Sequence, residues 1–184
     1  MLHLNTTGLV RKSLLLSLVL AGIASCSDNE STSVKPEAVG NSSNLSAAEV
    51  HEASLVLDAH ADIVIPSTSR AYMSVDGTSK VDLAKMRAGG VDAVVMSVAV
   101  GPGPRTEVGD AAARAEADEK LAAVHTLVEK SQGQILIATT SSEIIAAHEA
   151  GKSAYILGFQ NARSLQGNVS AIDEFYAEGI RIFG

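Results

Sequence analysis

Three times in this chain a helical stretch ends on glycine and runs directly into an apolar, strand-like segment. The junctions are Arg87-Ala88-Gly89-Gly90-Val91, Glu149-Ala150-Gly151 and Ala177-Glu178-Gly179-Ile180. Glycine just past a helix takes the left-handed conformation that other residues resist, so each junction stops a helix and releases a strand. Strands that alternate with helices pair in parallel and are covered on both faces, which defines an α/β architecture. Strands are expected over residues 55–60, 91–100, 134–139, 154–160 and 180–183, and helices over 83–88, 110–130, 143–150 and 169–178. Thr140 and Glu143 form a capping box for the third helix, and Asn168 is a suitable N-cap for the fourth.

Parallel βα units close into a barrel or lie open as a doubly wound sheet. The first strand ends in polar residues, not in the glycine-rich phosphate turn of a nucleotide-binding sheet, which favours the barrel. A (β/α)8 TIM-type barrel needs eight strands and about 250 residues. Five strands in 184 residues therefore predict roughly its first half, strands 1–5. Exposed edges of such a half-barrel invite pairing with a second copy, so a homodimer is one expected state. Other classes are excluded by composition. A net charge of −7, 3% aromatics and no Trp do not suit a nucleic-acid surface. A single cysteine gives neither a disulfide framework nor a cysteine-based zinc site.

The amino-terminal segment reads as a leader. Arg11-Lys12 precedes an apolar run over 13–23, which is shorter than the ~20 residues a membrane span requires. The run closes on Ile23-Ala24-Ser25-Cys26 and resembles a bacterial lipoprotein signal. That resemblance implies removal of residues 1–25 and lipidation of Cys26. Residues 26–48 then form a flexible tether rich in Ser and Asn, and 49–184 form the barrel segment. Ser27 rather than Asp follows the cysteine, which by the same resemblance favours the outer membrane, facing the periplasm.

Asp58, His60 and Asp62 are spaced by two, so a regular strand projects all three to one side. At the carboxyl end of a barrel strand that side faces the active-site mouth. An imidazole and a carboxylate two residues apart can share a divalent cation such as zinc. The same spacing also suits a polar strand end with a satisfied histidine. Arg105, in the Gly-Pro-rich segment after the second strand, reads as a solvated turn residue or as a contact for a substrate carboxylate. His125 and His148 read as solvated helix residues.

Larger blocks narrow these choices. LDAHADIVIP (57–66), VDLAKMRAGGVDAVVMSVAV (81–100) and ILGFQNARSLQGNVSAIDEFYAEGIRIFG (156–184), in that order, resemble the renal-type membrane dipeptidases. The resemblance covers about residues 50–184. It implies a metal-dependent hydrolase barrel in which two zinc ions generate a hydroxide that attacks the peptide bond of a dipeptide. His60 and Asp62 match ligands of the first zinc. The family's metal-bridging glutamate falls on Gln160, whose amide offers one neutral carbonyl oxygen where a carboxylate offers two charged ones. The family's remaining zinc histidines lie on strands beyond the fifth. The 184 residues alone are therefore expected to hold at most part of a site and to be inactive. Alternatives are another metal-dependent amidohydrolase of the same architecture, or a non-catalytic envelope lipoprotein.

Overall fold

The computed structural model describes residues 44–184. The leader at 1–25, Cys26 and the tether as far as residue 43 lie outside the described residues. A first helix, α1 (Ala47–Glu52), begins inside the stretch read as tether. A capping box fixes it: the Ser46 hydroxyl accepts from the Glu49 N–H, and the Glu49 carboxylate accepts from the Ser46 N–H. The alternation then follows as β1 (Leu57–Asp62), α2 (Leu83–Gly89), β2 (Ala93–Val98), α3 (Glu107–Lys130), β3 (Ile135–Ile137), α4 (Ser141–Glu149), β4 (Ser153–Phe159), α5 (Ala171–Ala177) and β5 (Ile180–Phe183). Gly90, Gly151 and Gly179, at the three junctions, have φ of 62°, 64° and 100°.

All strand pairs are parallel, as an α/β sheet requires, but their order departs from the simple succession of a barrel. β2 pairs with β1 on one side and with β4 on the other. β3 does not stand between β2 and β4. It pairs with the first half of β4 (Ser153–Tyr155), and β5 pairs with the second half (Leu157–Phe159) along the same edge. The cause is length and burial. Every residue of β2 and β4 is buried, as central strands demand, whereas β3 has three residues and covers only half an edge. The barrel wall therefore runs β1-β2-β4-β5.

One face of this wall carries Val94, Met96, Val98, Tyr155, Leu157, Phe159 and Ile180. Onto it pack Met86 of α2, Leu121 and Val124 of α3, and Phe175 of α5. The opposite face carries Ala93, Val95, Ala154 and Ile156, and here α4 supplies Ala147 and Ile144. These contacts lie at the amino-terminal ends of the strands, so α4 floors the inner face and leaves its carboxyl end clear.

Two expectations are corrected. The helix after Asn168 starts at Ala171, and Asn168 does not cap it; its Oδ1 accepts from the Ser170 N–H at 3.0 Å and builds a turn ahead of the helix. His148 is not a freely solvated helix residue. Its Nδ1 stands 3.0 Å from Asp92 Oδ1, and Asp92 Oδ2 accepts from the Val56 N–H at 2.7 Å. The pair fastens α4 to the entries of β1 and β2. His125 is half-buried, with Nε2 4.0 Å from Glu178 just past α5.

Candidate metal centre

β1 is not a regular strand. Asp58 pairs with Val94 but Ala61 pairs with Met96, so β1 spends three residues where β2 spends two. This bulge breaks the period-two alternation. Asp58 takes the register of Val94, on the helix-covered face, whereas Asp62 takes the register of Ser97, on the inner face. The expectation that Asp58, His60 and Asp62 share one side is thus corrected to His60 and Asp62 alone. Asp58 instead accepts from the His60 N–H at 3.0 Å and braces the bulge.

His60 Nε2 lies 3.4 Å from Asp62 Oδ1. A tetrahedral cation with ligand distances of about 2.0–2.2 Å holds adjacent ligand atoms about 3.4 Å apart, so the two donors are spaced as ligands of one ion. Asp62 Oδ1 is also buried without a hydrogen-bond partner. A buried carboxylate oxygen left unpaired is costly, and a cation removes that cost. The donor chemistry and the geometry both fit zinc at this pair. Among the described residues no group of three or more His, Cys, Asp or Glu comes together, so the pair offers two donors to a cation and no third of these types.

Asp62 and Gln160 line the same cleft, of about 880 Å³, at the carboxyl ends of the strands. Gln160 follows β4 directly, and its side chain is exposed. His60 stands beside Asp62 with its side chain 51% exposed. Arg105 also lines the cleft; it is largely exposed, with Nε 3.2 Å from Asp110 Oδ1.

Two features of this cleft escaped the sequence reading. Arg163 donates from Nη1 to the Gly101 carbonyl at 2.6 Å, and from Nη2 to the carbonyls of Pro104 and Gly109 at 3.2 and 3.0 Å. Asn161 Nδ2 adds a bond to the Val100 carbonyl at 3.0 Å. The segment after Gln160 thereby holds the segment after β2 as the cleft wall. Lys120 is buried, with its ammonium donating to the Ala99 carbonyl and lying 3.2 Å from Glu116. A signal for Lys120 was present, because it falls on the apolar stripe of Ala113, Ala117, Leu121 and Val124. No such signal marked Arg163, because the carbonyls it holds come from a segment 54–62 residues away in the chain.

A parallel βα wall with a histidine–aspartate pair at a strand end is a segment of the α/β barrel class. The family model of membrane dipeptidase (peptidase family M19) matches residues 45–184. The chain belongs to that family. Solved structures share the fold. A dipeptidase described as a metallopeptidase of family M19 superposes with a TM-score of 0.59 at 21% identity, covering 71% of this chain and 42% of that one. The probable dipeptidase PvdM of Pseudomonas aeruginosa gives 0.62 at 24% identity, covering 74% and 36%. A metallopeptidase of Rhodobacter sphaeroides, liganded with a phosphinate mimic of L-Ala-D-Ala, gives 0.59 at 18%, covering 71% and 44%. The chain thus spans about two fifths of the length of these structures. No curated protein matches it in sequence.

Proposed function

We propose that this chain is the amino-terminal part of a zinc-dependent dipeptidase, anchored through lipid on Cys26 to the outer membrane and facing the periplasm. The observation that carries the reading is the His60–Asp62 pair, 3.4 Å apart, with an unpartnered Asp62 oxygen at a strand end in a family of dipeptidases. His60 and Asp62 would hold one zinc ion, and Gln160 would offer it or a second ion a neutral oxygen. Bound zinc supplies Lewis acidity toward a peptide carbonyl and lowers the pKa of nearby water. The protein's own part is to fix the two donors on β1 and to keep the cleft wall rigid through Arg163. Arg105, which lines the same cleft, would meet the carboxylate of a dipeptide.

The reading is tested by zinc titration of the full chain, with His60→Ala and Asp62→Ala as controls. Stoichiometric zinc lost in both variants is expected, with no dipeptide hydrolysis by the 184 residues alone. Zinc binding unaffected by either variant would overturn the assignment, and chelator-sensitive hydrolysis would overturn the expected inactivity. The neutral Gln160 favours one further reading, a non-catalytic envelope lipoprotein that binds peptides; stoichiometric zinc on His60 counts against it.

A further inference from the structure

Ser97 is 2% exposed, and its hydroxyl has no hydrogen-bond partner. A buried hydroxyl seldom remains unpaired, because the lost hydration must be replaced. Alternation along β2 puts Val94, Met96 and Val98 toward the helices and Ala93 and Val95 inward, so Ser97 also faces inward. Its register neighbours on that face are Asp62 on β1 and Gly158 on β4. Gly158 has no side chain to offer, and a Cβ there would come within 3.0 Å of Ile182 Cβ. The Ser97 backbone is already committed, since its carbonyl accepts from the Ile63 N–H at 3.0 Å. Asp62 is therefore the one polar side chain beside Ser97 in the ladder.

We infer that Ser97 is a positioning residue for the metal ligand Asp62: its hydroxyl donates to the Asp62 carboxylate through one buried water and fixes which oxygen faces the cation. The inference rests on Asp62 being a zinc ligand. A donor behind a ligating carboxylate orients it and limits its rotation, and losing such a support typically costs about 10–100-fold in metal affinity. The β1 bulge makes the arrangement possible, because a regular register would set Asp62 beside Val98 and not beside Ser97.

The test is zinc affinity of the full chain, measured by competition with a chromogenic chelator, for wild type, Ser97→Ala, Ser97→Thr and Asp62→Ala. Ser97→Ala is expected to weaken zinc about 10–100-fold with little change in the melting temperature of the zinc-free protein. Ser97→Thr, which retains the hydroxyl, is expected to recover most of the affinity. Wild-type affinity in Ser97→Ala, with zinc lost in Asp62→Ala, overturns the role of Ser97 and leaves the metal site standing. Equal weakening in Ser97→Thr and Ser97→Ala also overturns it, since packing and not the hydroxyl would then matter. Zinc binding that survives Asp62→Ala overturns the metal-site reading itself, and the role of Ser97 with it.

Discussion

The guanidinium of Arg163 fills the space that a side chain on Gly103 would need: a Cβ built there comes within 2.5 Å of Nη2 and 2.7 Å of Nη1. Gly103 thus serves close contact, since a side chain there would displace the guanidinium, and not backbone freedom. It lets the loop after β2 close around an arginine that already holds the carbonyls of Gly101, Pro104 and Gly109.

Replacing Gly103 by Ala should therefore resemble replacing Arg163 by Ala. Each is expected to cost about 1–3 kcal/mol, the range for charged hydrogen bonds lost from a half-buried group. Both should raise hydrogen exchange over residues 101–109 while α4 stays protected. Exchange in that loop unchanged by Arg163→Ala would show that the loop holds itself.

Acid should loosen the segment between β1 and α2. The Thr78 N–H, then the Lys85 ammonium at 3.0 Å and the Thr78 hydroxyl, hold the Asp76 carboxyl down to about 2 from 3.8. A carboxyl with a lowered folded-state pKa stabilises the fold above its unfolded value, and that contribution disappears as pH falls through the folded one. Melting temperature should thus drop between pH 4 and pH 2, and Asp76→Asn should show a shallower drop over that window. Parallel curves for the two proteins would remove Asp76 from the acid response.

Alkali acts on the core. Burial raises the Tyr155 phenol to about 12 from 10.0, with a smaller contribution from the Asp82 charge. The hydroxyl donates to the Val81 carbonyl at 3.4 Å. Because the folded state holds this proton more tightly, stability is complete below pH 10 and is lost as pH rises toward 12. Tyr155→Phe should start slightly less stable and lose less across that window in urea melts; an equal loss would assign the alkaline response elsewhere.

The helix–glycine–strand junctions were legible because they depend on local backbone preference, and Gly90, Gly151 and Gly179 all have the positive φ that preference requires. The Thr140–Glu143 box was legible for the same reason. The bulge between Asp58 and Ala61 was not, because it exists only in register with β2, and nothing within LDAHAD marks an extra residue. The order β2–β4 was hidden likewise: which apolar strand takes the central place is settled by competition among strands, and QILIAT reads as a strand wherever it docks. His60 and Asp62 were read correctly as neighbours, but for an incomplete reason, since the alternation that grouped them with Asp58 is interrupted there.

Phe175 locks α5 onto the wall. It is 1% exposed, meets Phe159 edge-on with centroids 4.7 Å apart, and has the Arg114 guanidinium 4.3 Å from its ring centroid. Phe175→Ala should cost about 3–5 kcal/mol, a large part of the 5–15 kcal/mol typical of a domain. Phe175→Leu should cost clearly less. Equal losses in urea denaturation would mean that filling the volume recovers nothing and that the ring's contacts with Phe159 and Arg114 carry the whole effect.

Gln160 offers the sharpest test of how far the metal site extends. Two cations about 3.5–4 Å apart repel each other unless an anionic group lies between them. The glutamine amide brings no charge, so the wild-type chain is expected to take one zinc ion at His60 and Asp62. Gln160→Glu restores two charged oxygens at a position that lines the same cleft as Asp62. Its expected effect is tighter binding of the single zinc ion at His60 and Asp62. The exposed side chain makes the change cheap for the fold, so melting of the zinc-free protein should barely move. If Gln160→Glu changes neither stoichiometry nor affinity, residue 160 does not reach the ion held by β1, and the cation at His60 and Asp62 must draw its remaining ligands from elsewhere.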